Sequence, residues 1–419
     1  MGIDLLVHSA SQLATLSGGP QRGGDLGRLA LIRDGAVAID DGRILAVGPS
    51  TDLRARYQAA EALDASGRVV LPGFVDSHTH AIWAGDRASE FEMRLQGRSY
   101  MEILAAGGGI MSTVRATRAA SIEQLIAETR PRLERMLACG TTTVEVKTGY
   151  GLDLPTELRL LEAILQLDSD GPPKLIPTFL GAHAVPEEYR GRTQAYVELV
   201  SETMLPAVRA WWDARAGGRP LPFVDVFCEQ GVFDLRQTRR ILTAARSLGF
   251  PLKIHADEFV ALGGTRLAVE LGALSADHLL HTPPEEVTAL ADSVTVAVAL
   301  PATPFGLAES SSAPVRELLQ AGGILAIATD LNPGTAWCES MPFTLALACR
   351  SLGLTPAQAI AAATINGAAA VGLQDSKGSL EPGKDADLIL LDIPDWRHLG
   401  YRFGTNLVSR VVQGGCVVI

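Results

Sequence analysis

The sequence predicts an α/β protein: a (β/α)8 TIM barrel with a small composite β-sandwich domain formed by both termini. Three observations predict it. Eight apolar runs of strand length follow one another from Val69 to Asn332, each separated from the next by a helical stretch or a shorter linker. The two ends of the chain are rich in short strands and turns. The polar residues of the middle gather where its apolar runs stop. Alternating β and α elements imply a parallel sheet, and eight units over this length fit a barrel. An open doubly wound sheet would place a Gly-rich phosphate turn after its first strand. Here that place holds DSHTH, and no GxGxxG follows a strand.

Within residues 1 to 68, LALIRDGAVAIDDGRILAVGP carries Asp-Gly at 34–35 and 41–42. Asp-Gly between apolar runs is a hairpin signal. At the other end, GSLEPGKDADLILLDIP and NLVSRVVQGGCVVI are apolar strands separated by turn residues. Residues 1–68 and 375–419 are therefore assigned to the composite domain and 69–374 to the barrel. VVLPGFVDSHTH is the first barrel strand. Ser121 then opens a helix, with Gln124 placed for a capping box. Ile122, Leu125, Ile126, Leu133 and Leu137 recur at helical spacing, and Pro131 is expected to kink or loosen that helix. TTTVEVKTGYG, KLIPTFLGAH, PFVDVFCEQGVF, FPLKIHADEF, GALSADHLLH, VTVAVALPATPF and GILAIATDLNPG supply strands two to eight. Helices are expected around Glu157–Leu167, Tyr196–Ala210 and Leu235–Leu248.

Composition narrows the function. With 419 residues, 47% of them hydrophobic, the chain exceeds the ~250–300 at which single cores stop growing, which allows a second small domain. A net charge of −11 without a basic run argues against a nucleic-acid partner. No apolar run reaches the ~20 residues that span a bilayer. The first residues lack the basic start and apolar core of a signal peptide. A cytoplasmic protein acting on a small molecule, with no membrane partner, is expected. Cys139, Cys228, Cys338, Cys349 and Cys416 form no C-x-x-C pair, and five is odd. Buried free thiols in a reducing compartment account for them.

Barrel chemistry collects at the C-terminal ends of strands. His78 and His80 follow strand one, Lys147 and Tyr150 strand two, His183 strand three, and Glu229 strand four. His255 and Glu258 follow strand five, His278 strand six, and Asp330 with Asn332 strand eight. Five of the eight histidines thus lie at strand ends, a concentration that outweighs any single residue. His78-x-His80 has the period of a strand, so both rings face one side. Two imidazoles on one face suit zinc or iron, and a third His with an Asp strengthens the reading. A divalent ion there would lower the pKa of a bound water towards ~7. Plainer readings stand beside these. Asp330 also suits a helix cap, His278 a hydrogen-bonded core histidine, and Glu258 a surface pair. Arg87 is either a surface salt bridge or a fork for a substrate carboxylate. Tyr150, flanked by glycines in KTGYG, lies in a loop that lets backbone approach a ligand. His8, His281 and His398 are assigned no chemistry.

Together, PGFVDSHTH, HADE, ALSADH and ATDLNPG resemble the amidohydrolase superfamily, and DGRILAVG and GSLEPGKDADLILLD resemble its composite terminal domain. HTHAIWAGDRASEFEMRLQGRSYMEILAAGGGIMSTVRATR, VEVKTGYGL, FLGAHAVPEEY, KIHADEF, SADHL and ATDLNPGT narrow the resemblance to the branch that opens a cyclic amide in histidine degradation. The resemblance implies one zinc or iron ion per chain on His78, His80, His255 and Asp330. Strand four ends Phe227-Cys228-Glu229-Gln230, without the lysine that many members carboxylate to hold a second metal, and Lys147 belongs to strand two. It implies that Arg87, Tyr150 and His183 bind the propionate and ring of 4-imidazolone-5-propanoate. Glu258 would contact a ring nitrogen, and Asn332, Gly334 and Thr335 would line the site, Thr335 standing where the family often has Ser. His278 would bond the nucleophile or the developing oxyanion, Glu258 would deliver a proton to the leaving nitrogen, and Asp330 would accept one from water. The product would be N-formimidoyl-L-glutamate, and the enzyme a homodimer. A mononuclear deaminase of another heterocycle shares these ligands and is the second reading. A non-catalytic binding or scaffold protein on the same fold is the third.

Overall fold

The computed structural model describes residues 1–98, 102 and 107–419. Part of the long segment after the His pair, residues 99–101 and 103–106, lies outside them. Eight strands form one parallel sheet in chain order: Phe74–Asp76, Thr141–Lys147, Lys174–Ala182, Phe223–Cys228, Lys253–Ala256, Ser275–His278, Val296–Ala299 and Leu325–Ile327. The sheet closes just past its first and last strands. Asp330 N donates to His78 O (3.1 Å) and His80 N to Leu331 O (2.8 Å). Closure abolishes the sheet edge. It also couples, through backbone, the segment that carries the His pair to the one that carries Asp330.

Local chemistry explains the flanking helices. Leu154–Asp170 begins at Asp153, whose side chain accepts from Thr156 N at 2.8 Å. Leu235–Ser247 has a full capping box between Asp234 and Gln237. The expected helix near Tyr196–Ala210 is longer. Thr193–Leu199 passes through a widened π turn at Val200–Met204 into Leu205–Arg215, and Pro206, which has no N–H to donate, sits at the exit of that turn. At Ser121 only half a capping box forms. Its hydroxyl accepts from Gln124 N, but the Gln124 amide donates to Glu128 instead. The helix Ile122–Ala138 runs unbroken across Pro131. Its buried face, including Leu125, Thr129, Leu133 and Met136, packs on both sides of the proline and offsets the single missing hydrogen bond.

Both termini build two further sheets. One holds Gly2–Ala10, Gly35–Asp40, Arg43–Pro49 and Gln58–Asp64; the other holds Gln12–Ala14, Leu31–Ile32, Val69–Pro72, Leu388–Leu391, Val408–Gln413 and Cys416–Val417. Leu5, Val37 and Ile39 of the first pack with Leu13, Val70, Leu388 and Val412 of the second in one small core. Asp41-Gly42 makes the expected hairpin, with φ of +50° and +71°. Asp34-Gly35 does not: Leu31–Ile32 pairs with Gln12–Ala14, so the turn passes the chain from one sheet to the other. The cysteines are free, but only Cys228 is fully buried and Cys416 is exposed. Among the described residues no helix is long and apolar enough to cross a membrane.

The apolar run at 69–76, expected as one strand, is two. Val69–Pro72 pairs with Leu388–Leu391 in the terminal sheet, and Phe74–Asp76 pairs with strand two of the barrel. Gly73 is the joint. Its N–H donates to Asp387 O (3.0 Å), and a Cβ there would lie 2.2 Å from Thr142 Oγ1. Thr142 is buried and β-branched, so it has little room to move. Gly73→Ala is expected to lower stability by about 1–3 kcal/mol, read from urea unfolding. A wild-type midpoint and slope would show that the joint tolerates a side chain.

Candidate active site and metal centre

Strand alternation sends Glu145 and Lys147, Asp225, Lys253 and His255, and Asp277 into the barrel interior, where each is buried. Lys147 Nζ lies 2.7 Å from Glu145 Oε1, 2.8 Å from Asp225 Oδ2 and 3.8 Å from Asp277 Oδ2. Lys253 Nζ donates to Ser77 O (2.7 Å) and lies 3.8 Å from the same Asp277 oxygen. Burial works against the Lys147 ammonium, but Asp225, Glu145 and Asp277 outweigh it and hold its pKa above the ordinary lysine value. Burial likewise pushes Asp225 up, but His255 and Lys147 hold its carboxyl well below the usual range.

Two histidines stand on this charged floor. His78 Nδ1 lies 2.6 Å from Asp277 Oδ2, and His255 Nδ1 lies 2.9 Å from Asp225 Oδ2. With lysines beside Asp277, its oxygen is the acceptor and His78 Nδ1 carries the proton, which leaves the His78 Nε2 lone pair free, whereas His255 Nδ1 lies beside Asp225 as an ion-pair contact without a hydrogen bond to it. His80 is placed differently. Its ring stacks on His183 (centroids 4.8 Å apart, planes at 19°), and its backbone is held by Leu331 O. His80 Nε2 lies 3.3 Å from His255 Nε2, and Asp330 Oδ1 lies 3.5 Å from His78 Nε2 and 3.6 Å from His80 Nε2. His78 Nε2 and Asp330 Oδ1 are buried with no hydrogen-bond partner. Buried polar atoms are rarely left unpaired, and burial holds His78 and His80 well below the ordinary histidine pKa, so they are neutral. Convergent lone pairs around one point fit a divalent cation. The ligand atoms of His78, His80 and His255, and those of His78, His278 and Asp330, form groups within 4.8 Å.

Above the floor opens a cavity of about 250 Å3, and every expected site residue except the deeper His78 lines it. His278 and Asp330 both adopt left-handed backbone, φ +79° and +52°, uncommon outside glycine and a mark of strain held in place by its surroundings. Asp330 Oδ2 accepts from Thr303 Oγ1 (2.5 Å), which aims Oδ1 at the histidines. Burial pushes the Asp330 carboxyl up to about 6. Glu258 Oε2 lies 3.6 Å from His278 Nε2. Burial, with Asp330, Glu229 and Glu309 nearby, pushes Glu258 well above the usual carboxyl range, which favours its protonated form. His183 Nδ1 donates to Gly149 O (3.0 Å), and burial holds its pKa down to about 3, so the neutral ring keeps an accepting Nε2. The Tyr150 hydroxyl makes no hydrogen bond to any described residue.

Other residues act on the walls themselves. The Asn332 amide is fully committed to its own loop: Nδ2 donates to Asp330 O and Thr335 Oγ1, and Oδ1 accepts from Gly334 N and Thr335 N, both at 2.8 Å. It lines the cavity by shaping this turn. Arg87 stands on the rim, where a Cβ on Gly334 would lie 2.4 Å from its Nη1. Sequence reasoning missed Glu145, Asp225, Lys253 and Asp277. The available signal was charge at every second position of otherwise apolar strands, as in Lys253-x-His255.

A closed parallel barrel with a cation site at its C-terminal mouth and a second domain woven from both termini defines a metal-dependent hydrolase of the amidohydrolase class. Residues 61–120 and 233–417 match amidohydrolase families, and residues 35–57 match the bacterial imidazolonepropionase-like composite domain. Proteins named imidazolonepropionase from Herpetosiphon aurantiacus and Chloroflexus aggregans are 54% and 52% identical, over 99% of this chain and 97–98% of theirs. The chain belongs to the imidazolonepropionase family. Among solved structures, the guanine deaminase of E. coli (TM-score 0.77, 16% identity, 99% and 98% of the two chains) and a zinc-bound adenosine deaminase of Xanthomonas campestris (0.73, 20%, 99% and 93%) share the fold.

If Asp277 orients His78, then Asp277→Asn should weaken metal affinity about 10–100-fold, measured by competition with a chromophoric chelator. Unchanged affinity would remove Asp277 from that role.

Proposed function

We propose that the chain hydrolyses 4-imidazolone-5-propanoate to N-formimidoyl-L-glutamate, with one zinc or iron ion held by His78, His80, His255 and Asp330. The observation that carries this reading is the pairing of a convergent His/Asp floor with a guanidinium, Arg87, on the rim of the same cavity. A ring whose amide reaches the floor would leave its propionate for that rim. When bound, such an ion supplies a Lewis acid and lowers the pKa of a water near the ring carbonyl. Engagement of Lys147 in three ion pairs supports a single ion, because its amine is held as a cation rather than free to be carboxylated.

The chain's own groups divide the remaining work. Arg87 grips the propionate. Tyr150 and the accepting Nε2 of His183 hold the ring. Asn332 fixes the turn that presents Gly334 and Thr335. Asp330, with one oxygen fixed by Thr303, accepts the proton of the attacking water. Neutral His278 bonds the oxygen that gains charge as the carbonyl carbon becomes tetrahedral. Protonated Glu258, close to His278, donates to the ring nitrogen as the carbon–nitrogen bond breaks. The acidic chain suits an enzyme that binds no nucleic acid, and we assign it to the cytoplasm and as a homodimer. We divide the chain into a composite domain, 1–68 and 375–419, and a catalytic barrel, 69–374.

Purified protein should remove the ultraviolet absorbance of 4-imidazolone-5-propanoate, and a chelator should abolish that activity. Absence of turnover with metal present would favour a deaminase of another heterocycle. Arg87→Met should lower kcat/KM roughly 10–100-fold, the value of a hydrogen bond to a charged group; a deaminase of a neutral base would be indifferent to it. Glu258→Gln should lower kcat by about 10^2–10^4 with the metal retained, and a near wild-type kcat would exclude it as the proton donor.

A further inference from the structure

Glu90 has no part in the reaction as described, yet it is 6% exposed on the helix Ala88–Leu95 at the cavity rim. Its Oε2 accepts from both Nε (2.9 Å) and Nη2 (2.7 Å) of Arg87. Its Oε1 accepts from Gly109 N (3.0 Å) and lies 3.2 Å from Ser112 Oγ. One carboxylate therefore joins the Arg87 guanidinium to the segment whose Ile110 lines the cavity.

A guanidinium offers two bidentate edges, Nε/Nη2 on the side and Nη1/Nη2 at the end. Glu90 occupies the side edge. Nη1 has no hydrogen-bond partner among the described residues and packs beside Gly334 on the cavity wall. The only other cation of that helix, Arg94, donates to Gly334 O (3.0 Å) and forms no ion pair among the described residues. Arg94 lies near enough to Arg87 and Glu90 to interact electrostatically with both, so two guanidiniums and one buried carboxylate share this corner.

We propose that Glu90 is a positioning residue for carboxylate recognition. It fills the side edge of Arg87, so that the propionate docks end-on across Nη1 and Nη2. Its second oxygen fixes the Gly109–Ser112 segment against the same group. This rests on the reading of Arg87 as the carboxylate partner. Glutamine cannot replace Glu90: it has one oxygen, and its NH2 must face either the Arg87 donors or the Gly109 N–H.

The test compares wild type, Glu90→Gln, Gly334→Ala and Arg87→Met by steady-state kinetics and thermal melting. It adds inhibition by imidazole-4-propanoate and by 4-methylimidazole, which lacks the carboxylate. Glu90→Gln is expected to raise KM about tenfold with kcat within about threefold. It should weaken the carboxylate inhibitor by a similar factor, leave 4-methylimidazole unaffected, and melt like wild type. Gly334→Ala, which presses on Nη1 from the opposite side, should give the same signature and stands in if Glu90→Gln does not fold. A high KM in Arg87→Met with wild-type KM in Glu90→Gln would overturn the positioning role alone. Equal weakening of both inhibitors would overturn it in favour of general damage to the rim. An unchanged KM in Arg87→Met would overturn the carboxylate reading and this proposal with it.

Discussion

The site depends on Lys147. From strand two its ammonium reaches the barrel axis and meets carboxylates of strands two, four and six. Two of those carboxylates are the ones that hold His255 and His78. A buried ion pair adds little net stability over an apolar core, but removing one partner leaves an uncompensated charge, at a cost of roughly 3–5 kcal/mol. The network is thus a specificity device. It orients His78 through the hydrogen bond to Asp277 and sets His255 beside Asp225. His80 and Asp330 are placed by another route, through the backbone bonds that close the barrel.

Floor and wall are built on different physics. The floor stands on strands, with interlocked charges and left-handed strand ends at His278 and Asp330. The wall is made of loops held by single polar residues: Asn332 for the turn after strand eight, Glu90 for Arg87 and the segment at Gly109. A rigid floor suits bond cleavage, whereas separately braced walls suit recognition. The fold itself is shared with structures described as deaminases. Fold does not fix substrate, and the features that would distinguish this chain's substrate lie in the walls.

Much of this was legible in the sequence because barrel strands present chemistry at one end. His78-x-His80, His255, His278 and Asp330 all follow apolar runs, and all meet in one cavity, or directly beneath it for His78. The floor beneath was illegible for a physical reason. Alternation of charged and apolar residues along a strand ordinarily marks a solvent-facing sheet, whereas in a closed barrel the same alternation faces inward. Glu145 and Asp225 therefore carried no signal of a buried site. Glu90 sat unremarked on a short amphipathic helix, where an Arg–Glu pair three residues apart reads as an exposed salt bridge. The split at Gly73 hid inside an unbroken apolar run, since both the terminal sheet and the barrel want the same residue types. Asp34-Gly35 has the dipeptide of a hairpin, but pairing with Gln12–Ala14 decided where the preceding strand went.

We propose a single metal ion beside the Lys147 network, on His78, His80, His255 and Asp330. A crystal of the metal-loaded protein, with diffraction recorded on either side of the metal's absorption edge, tests it most directly. One anomalous peak per chain is expected, bounded by His78 Nε2, His80 Nε2, His255 Nε2 and Asp330 Oδ1, with Lys147 unmodified in its ion pairs. A second peak, or a carboxylated Lys147 bound to metal, would contradict it.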